Sequence, residues 1–164
     1  MKVSFKKLHE DAVTPQYAHP GSDAGIDLTA TEVSKDGKIV TYHTGLAIEI
    51  PKDHVGLLFP RSSVSNYPLS LCSCVGVVDH GYTGEILFKY RLTDLDIFAS
   101  IYNKGDRIGQ LIIMPYPQIE LVEQEALGSS ERGSEGFGST DLTETSDEPE
   151  EGLEEGSEPD IEDS

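Results

Sequence analysis

Tryptophan is absent, cysteine and methionine occur twice each, and positive charge is scarce. Each shortage excludes something. Twelve Lys and Arg stand against 30 Asp and Glu, for a formal net charge of -18. A general nucleic-acid binder replaces phosphate counterions with Lys and Arg, so a nucleic-acid polymer is not the expected partner. Docking on an anionic membrane surface is disfavoured for the same reason. Two cysteines, Cys72 and Cys74, are too few for a disulfide framework or a structural zinc site. Two apart on an extended strand they share a face, a poor pairing geometry, and the plain expectation is two small buried hydrophobes. No apolar run is long enough to span a membrane, and none follows Lys2, Lys6 and Lys7 as a signal peptide requires. We therefore expect a reducing, soluble compartment: the cytoplasm, or a host's cytoplasm for a viral protein. No stretch of ten residues carries a helical period, and no repeat is visible.

What is there is a chain of 164 residues, about one domain's worth, with 16 Gly and 9 Pro as turn formers. Short apolar or β-branched runs fall at residues 2–8, 27–30, 38–41, 46–50, 55–59, 69–78, 85–90, 97–102, 107–115 and 119–122. Asp36-Gly37, Pro51, Pro60, Gly81, Gly84, Lys104-Gly105-Asp106 and the prolines at 115 and 117 punctuate them. Many short strands at close spacing predict an all-β sandwich or barrel, with at most a helical turn after Ser62.

The charge is uneven. Residues 141–164 hold 12 acids and no base, leaving 18 acids against 12 bases in the first 140 residues. That last stretch is too poor in apolar residues to offset the entropy of ordering, and reads as a disordered acidic tail with room for an unknown protein partner. The expected folded body is 1–128. Residues 129–140 continue a Gly/Ser-rich segment that includes Arg132 and Phe137. A flexible linker is the plainer reading. A mobile arm that closes on a ligand makes better use of the two: Arg132 can pair with an anion, Phe137 can stack, and Gly138, Ser139 and Thr140 can donate to phosphate oxygens.

Other residues carry candidate chemistry. Pro60-Arg61-Ser62-Ser63 ends a strand-like run, and a guanidinium followed by two hydroxyls suits phosphate. Asp27 could hold Mg²⁺ through water; a turn cap or a core salt bridge would use the same residue. In Gly76-Val77-Val78-Asp79-His80-Gly81-Tyr82, apolar strand residues run into an acid and an aromatic turn. Asp79 is a candidate general base and Tyr82 a flat face for a ring, or else they are an ordinary turn residue and a hairpin aromatic. Gln110 alternates with apolar neighbours and faces either a site or the outside of a sheet.

In this order the segments resemble a known family. AGIDL at 24–28, PRSS at 60–63, GVVDHGYTGEI at 76–86, GDRIGQ at 105–110 and RGSEGFGST at 132–140 are similar to the five motifs of the trimeric dUTP pyrophosphatases, or dUTPases. The resemblance implies a distorted jelly-roll β-sandwich and hydrolysis of dUTP to dUMP and pyrophosphate, limiting uracil in DNA and supplying dUMP for dTMP synthesis. It implies Mg²⁺ as cofactor, held by Asp27 through water, and a homotrimer whose active sites draw on all three chains. Arg61, Ser62, Ser63 and Gln110 would contact phosphates. The strand from Ser73 through Gly76, Val77 and Val78 would form the uracil pocket. Asp79 would contact the sugar and position the attacking water, and Tyr82 would pack on deoxyribose. Arg132, Phe137, Gly138, Ser139 and Thr140 would arrive from a third chain. Ser73 stands where many relatives place Asn, and Gly109 where Ala is more usual, a change expected to loosen the strand slightly. A dCTP deaminase shares the fold, but needs a Glu a few residues into the strand after Gly84, where this chain has Lys89. A third reading is a dUTPase-like scaffold with an added regulatory, protein-binding role.

Overall fold

The computed structural model describes residues 1–93, 100–130, 133 and 134. Contacts divide the chain into two units, Met1–Glu120 and Leu121–Ser164. The described residues of the second are exposed and form no strand. Among the described residues, regular structure lies in the first unit alone, and is all-β apart from one 3-10 turn at Ser62–Asn66. The expected helical turn after Ser62 is therefore present.

Among the described residues, ten strands make three antiparallel sheets. The first pairs β1 (Phe5–Lys7) with β5 (Leu46–Ile48). The second has the order β2 (Ile26–Thr29), β10 (Arg107–Pro115), β6 (His54–Phe59), β8 (Gly76–Val78). The third has the order β3 (Glu32–Asp36), β4 (Ile39–His43), β9 (Leu87–Leu92), β7 (Leu69–Leu71).

The core follows from period-two alternation. On β9, Phe88, Tyr90 and Leu92 are buried while Lys89 and Arg91 are exposed. Tyr42 lies opposite Phe88 and Val40 opposite Tyr90, which makes one apolar face. The second sheet answers with Leu28, Leu58, Val78, Ile108 and Leu111, all in the same cluster. Tyr90 Oη donates to Ile108 O at 2.7 Å, joining the two sheets. A Cβ placed on Gly109 would stand 2.1 Å from the Phe88 ring, so the bare backbone at Gly109 is what lets that ring in. The expectation that this glycine merely loosens the strand is corrected: it makes room for a core side chain.

Five other expectations change. Residues 69–78 form two strands, because the chain turns at Cys74, whose φ is 57°. Both cysteines are exposed on that turn rather than buried on a strand. Residues 32–36, where no strand was expected, form β3, a polar edge strand with only Val33 half-buried. Ile119, Leu121 and Val122 are exposed and in no strand, so apolar character alone did not make one. Of the run expected at 97–102, residues 97–99 lie outside the described residues, and 100–102 are not strand.

Candidate active site

The central contact is built on β2, β10 and the end of β6. Gln110 lies opposite Asp27 on one side and Phe59 on the other. A bulge in β10 between Arg107 and Gly109 shifts the register just before Gln110, as bulges beside sites commonly do. Pro60 then ends β6 and hands Arg61 back across the sheet. Arg61 Nε–H donates to Asp27 Oδ1 at 2.9 Å, and Arg107 Nη1–H donates to Oδ2 at 2.9 Å. Gln110 Nε2–H donates to Pro60 O at 3.1 Å. Asp27, Arg61, Ser62 and Gln110 line one cleft of about 440 Å³, together with His19 and Asp23.

Asp27 is 8% exposed, and its burial is tolerable because both oxygens accept from a guanidinium. The core salt bridge weighed from the sequence therefore exists, on the wall of the cleft. Each oxygen keeps a lone pair, so the carboxylate can still accept from water held by a metal. Among the described residues no group of three or more His, Cys, Asp or Glu could cage a metal directly. The donors fit Mg²⁺ only at one remove, through its water ligands.

Ser63 does not join them: its Oγ lies 3.3 Å from Tyr102 Oη, and it is not on the cleft wall. Ser73 and Gly76 lie elsewhere, in an apolar cleft of about 260 Å³ with Leu58, Leu71, Phe88 and Lys89. Val78 is buried and Val77 is 64% exposed. Asp79 is exposed just beyond β8, and its carbonyl accepts from Tyr82 N–H at 3.2 Å. Tyr82 borders a third cleft, against Phe5, Leu8 and Ile48. Its hydroxyl donates to Glu85 O at 2.9 Å, a contact a Cβ on Gly84 would obstruct. Arg132, Phe137, Gly138, Ser139 and Thr140 lie outside the described residues.

Three site residues were missed. Arg107 sits in GDRIGQ and carries the charge to pair with an acid, but only the register reveals its partner. Gly25 admits the Gln110 amide, since a Cβ there would stand 2.0 Å from Oε1. Glu85 accepts from Gly45 N–H at 2.7 Å and lies 3.0 Å from His43 Nδ1, which anchors the turn bearing Tyr82. The last two lie within the segments 24–28 and 76–86, but nothing local assigns them a role.

An antiparallel sandwich with an acid, an arginine and a glutamine from three distant segments on one cleft is the frame of a nucleotide-phosphate hydrolase. The chain belongs to the dUTPase family: the family's sequence pattern matches residues 10–141, most of the chain. The deoxyuridine 5'-triphosphate nucleotidohydrolase of Thermobifida fusca is 39% identical over 144 residues, covering 85% of this chain and 79% of that protein. The Hydrogenobaculum protein of the same name is 37% identical over 146 residues, covering 87% and 99%. Among solved structures, a mutant dUTPase of Staphylococcus bacteriophage 80alpha with dUpNHpp superposes with a TM-score of 0.75 at 28% identity, covering 85% of this chain and 98% of that one. A mutant dUTPase from phage phi11 of S. aureus, described as revealing the coordination of a structural Mg(II) ion, has a TM-score of 0.66 at 27% identity, covering 79% and 100%. Among the described residues no helix is long and apolar enough to cross a membrane.

Proposed function

We propose that this protein is a dUTP diphosphatase: it hydrolyses dUTP to dUMP and pyrophosphate by attack of water on the α-phosphorus, in the cytoplasm of its cell or host. The observation that carries the reading is the convergence of Asp27, Arg61, Ser62 and Gln110 on one cleft. Arg61 offers fork donors to phosphate oxygens, with the Ser62 hydroxyl and the Gln110 amide beside it; Ser63 would have to leave Tyr102 to add its own hydroxyl. Bound Mg²⁺ supplies charge neutralisation on the triphosphate, and Asp27 holds it through water. Asp79 takes the proton of the attacking water and touches the sugar. Ser73, Gly76, Val77 and Val78 hold uracil, and Tyr82 covers the deoxyribose.

The active protein is a homotrimer with shared sites. The register of the second sheet supports this. Gly56 lies opposite Val78 on antiparallel strands, so Asp79 is level with Val55. β6 continues four residues to Phe59, about 13 Å at strand rise, and Arg61 lies beyond its end, bonded to Asp27 on β2, on the far side of the sheet from β8. One chain cannot bring Asp79 and Arg61 to the same phosphorus, whereas two chains can. A third supplies the arm at 129–140, with Phe137 over uracil and Arg132, Gly138, Ser139 and Thr140 toward the phosphates; residues 141–164 are a tail outside the site.

The test is pyrophosphate release from each dNTP, with and without Mg²⁺. Turnover should be confined to dUTP and depend on the metal; ammonia from dCTP would make the protein a deaminase instead. Removing residues 141–164 should leave dUTP turnover near normal, while truncation before Gly133 should abolish it. Loss of activity in the shorter deletion would put the tail inside the site.

A further inference from the structure

The turn between β7 and β8 carries both cysteines of the chain, as exposed free thiols. It is a tight double turn. Cys74 N–H donates to Leu71 O at 3.1 Å, and Val75 N–H donates to Ser73 O at 2.6 Å. Cys74 adopts φ 57°, a left-handed conformation that residues with a Cβ seldom take. Cys72 N–H donates to Lys89 O at 2.9 Å, which ties the start of the turn to β9. Cys72 and Ser73 are on the wall of the apolar cleft, opposite Gly76 and Lys89. On an extended strand, residues two apart have Cα atoms about 6.6 Å from each other, the outer edge of the range of about 4.4–6.8 Å that a disulfide spans. A turn shortens that separation and takes the pair off the strand.

We propose that Cys72 and Cys74 form a reversible thiol–disulfide site that controls the base cleft. The inference rests on reading that cleft as the uracil subsite. The oxidant is a low-molecular-weight disulfide such as oxidised glutathione. One cysteine thiolate attacks it, forming a mixed disulfide and releasing one glutathione thiolate. The second cysteine thiolate attacks the mixed disulfide at the cysteine sulfur, closes the Cys72–Cys74 bond and expels the second glutathione. Two protein thiols lose two electrons in total, one external disulfide gains them, and the two protons pass to the leaving thiolates. Ser73 is the single residue enclosed, so the ring fixes its backbone and with it the donors offered to the base. A short, exposed bridge is also readily reduced, which makes the change reversible.

The experiment uses full-length protein treated with oxidised glutathione and then with dithiothreitol, followed by intact mass, thiol titration and dUTP kinetics. The oxidised protein should lose two hydrogens with no adduct and both titratable thiols. Its KM should rise on the order of fivefold, the worth of about one hydrogen bond. Dithiothreitol should reverse all three changes. Cys72→Ser and Cys74→Ser should each stop at the glutathione adduct, because the resolving thiol is gone. The double variant should show no response relative to its own reduced state. A wild-type protein that keeps the adduct, links two protomers, or forms the bridge with no change in KM overturns the proposal. A reduced protein that does not turn over dUTP defeats the functional reading instead, and the mass and thiol readouts still decide the dithiol chemistry.

Discussion

Asp27 and Asp79 are carboxylates of one proposed site in opposite circumstances. Asp27 is buried and held by two guanidiniums. Its charge is committed, and what it can still offer is an acceptor for metal-bound water. Asp79 is exposed at the mouth of a turn. Its carboxylate is open to the water that the proposed base would activate. Asp79→Asn keeps the shape and removes the basicity. It should lower kcat by at least about 100-fold, the usual contribution of a general base, while KM moves little and stability stays within about 0.5 kcal/mol. Steady-state kinetics and a thermal melt check both; an unchanged kcat removes Asp79 from that role.

At the scale of elements, the sandwich depends on how β9 meets β10. Gly109→Ala forces a Cβ into the Phe88 ring and should cost about 1–3 kcal/mol. Phe88→Leu in the same chain should recover part of that, and a double-mutant cycle from denaturant midpoints would show the coupling. Independent losses that simply add would break the argument. The tyrosines of β4 and β9 differ as well. Tyr90 Oη is hydrogen-bonded, whereas Tyr42 Oη is buried with no hydrogen-bond partner among the described residues. Tyr42→Phe should therefore be neutral or stabilising, and Tyr90→Phe should cost about 1 kcal/mol. Burial pushes both phenols well above their ordinary value. In the unfolded chain they ionise near pH ~10, so at higher pH the folded state binds more protons than the unfolded one. Their contribution is complete below that pH and is lost as pH rises toward the folded value. Melts from pH 8 to 11 should fall less steeply in the double Phe variant than in wild type. The same elements show what a sequence reveals. β4, β9 and β10 were legible because alternation records a half-buried strand. β3 was not, since an edge strand with one half-buried residue leaves no such record. The break at Cys74 was hidden because cysteine is not a turn former. Asp27, Arg61 and Gln110 could be read from motifs, whereas Gly25, Arg107 and Glu85 act through partners 40 to 85 residues away, visible only once the register is known.

At the scale of the whole molecule, a net charge of -18 faces a substrate that is itself a polyanion. Two thirds of that charge sits in residues 141–164, so the body confronts dUTP with a smaller excess, which the proposed site counters with a few arginines and a divalent cation. In the proposed trimer one body does not complete a site alone, because the register puts Asp79 and Arg61 toward opposite ends of one sheet. That separation makes a quantitative prediction. Asp79→Asn and Arg61→Ala protomers should each be nearly inactive as pure trimers. Refolded together in equal amounts, they should assemble at random, and each site draws its Asp79 and its Arg61 from different protomers. About one quarter of the sites, one half multiplied by one half, then receive both intact residues. Activity should recover to about a quarter of wild type, with KM unchanged because the recovered sites are native in composition. Gln110→Ala provides a second partner should the loss of Arg61 from Asp27 impair folding. Were Asp79 and Arg61 to serve the same site from one chain, every mixed site would still lack one of them, and the mixture would show only the sum of the residual activities.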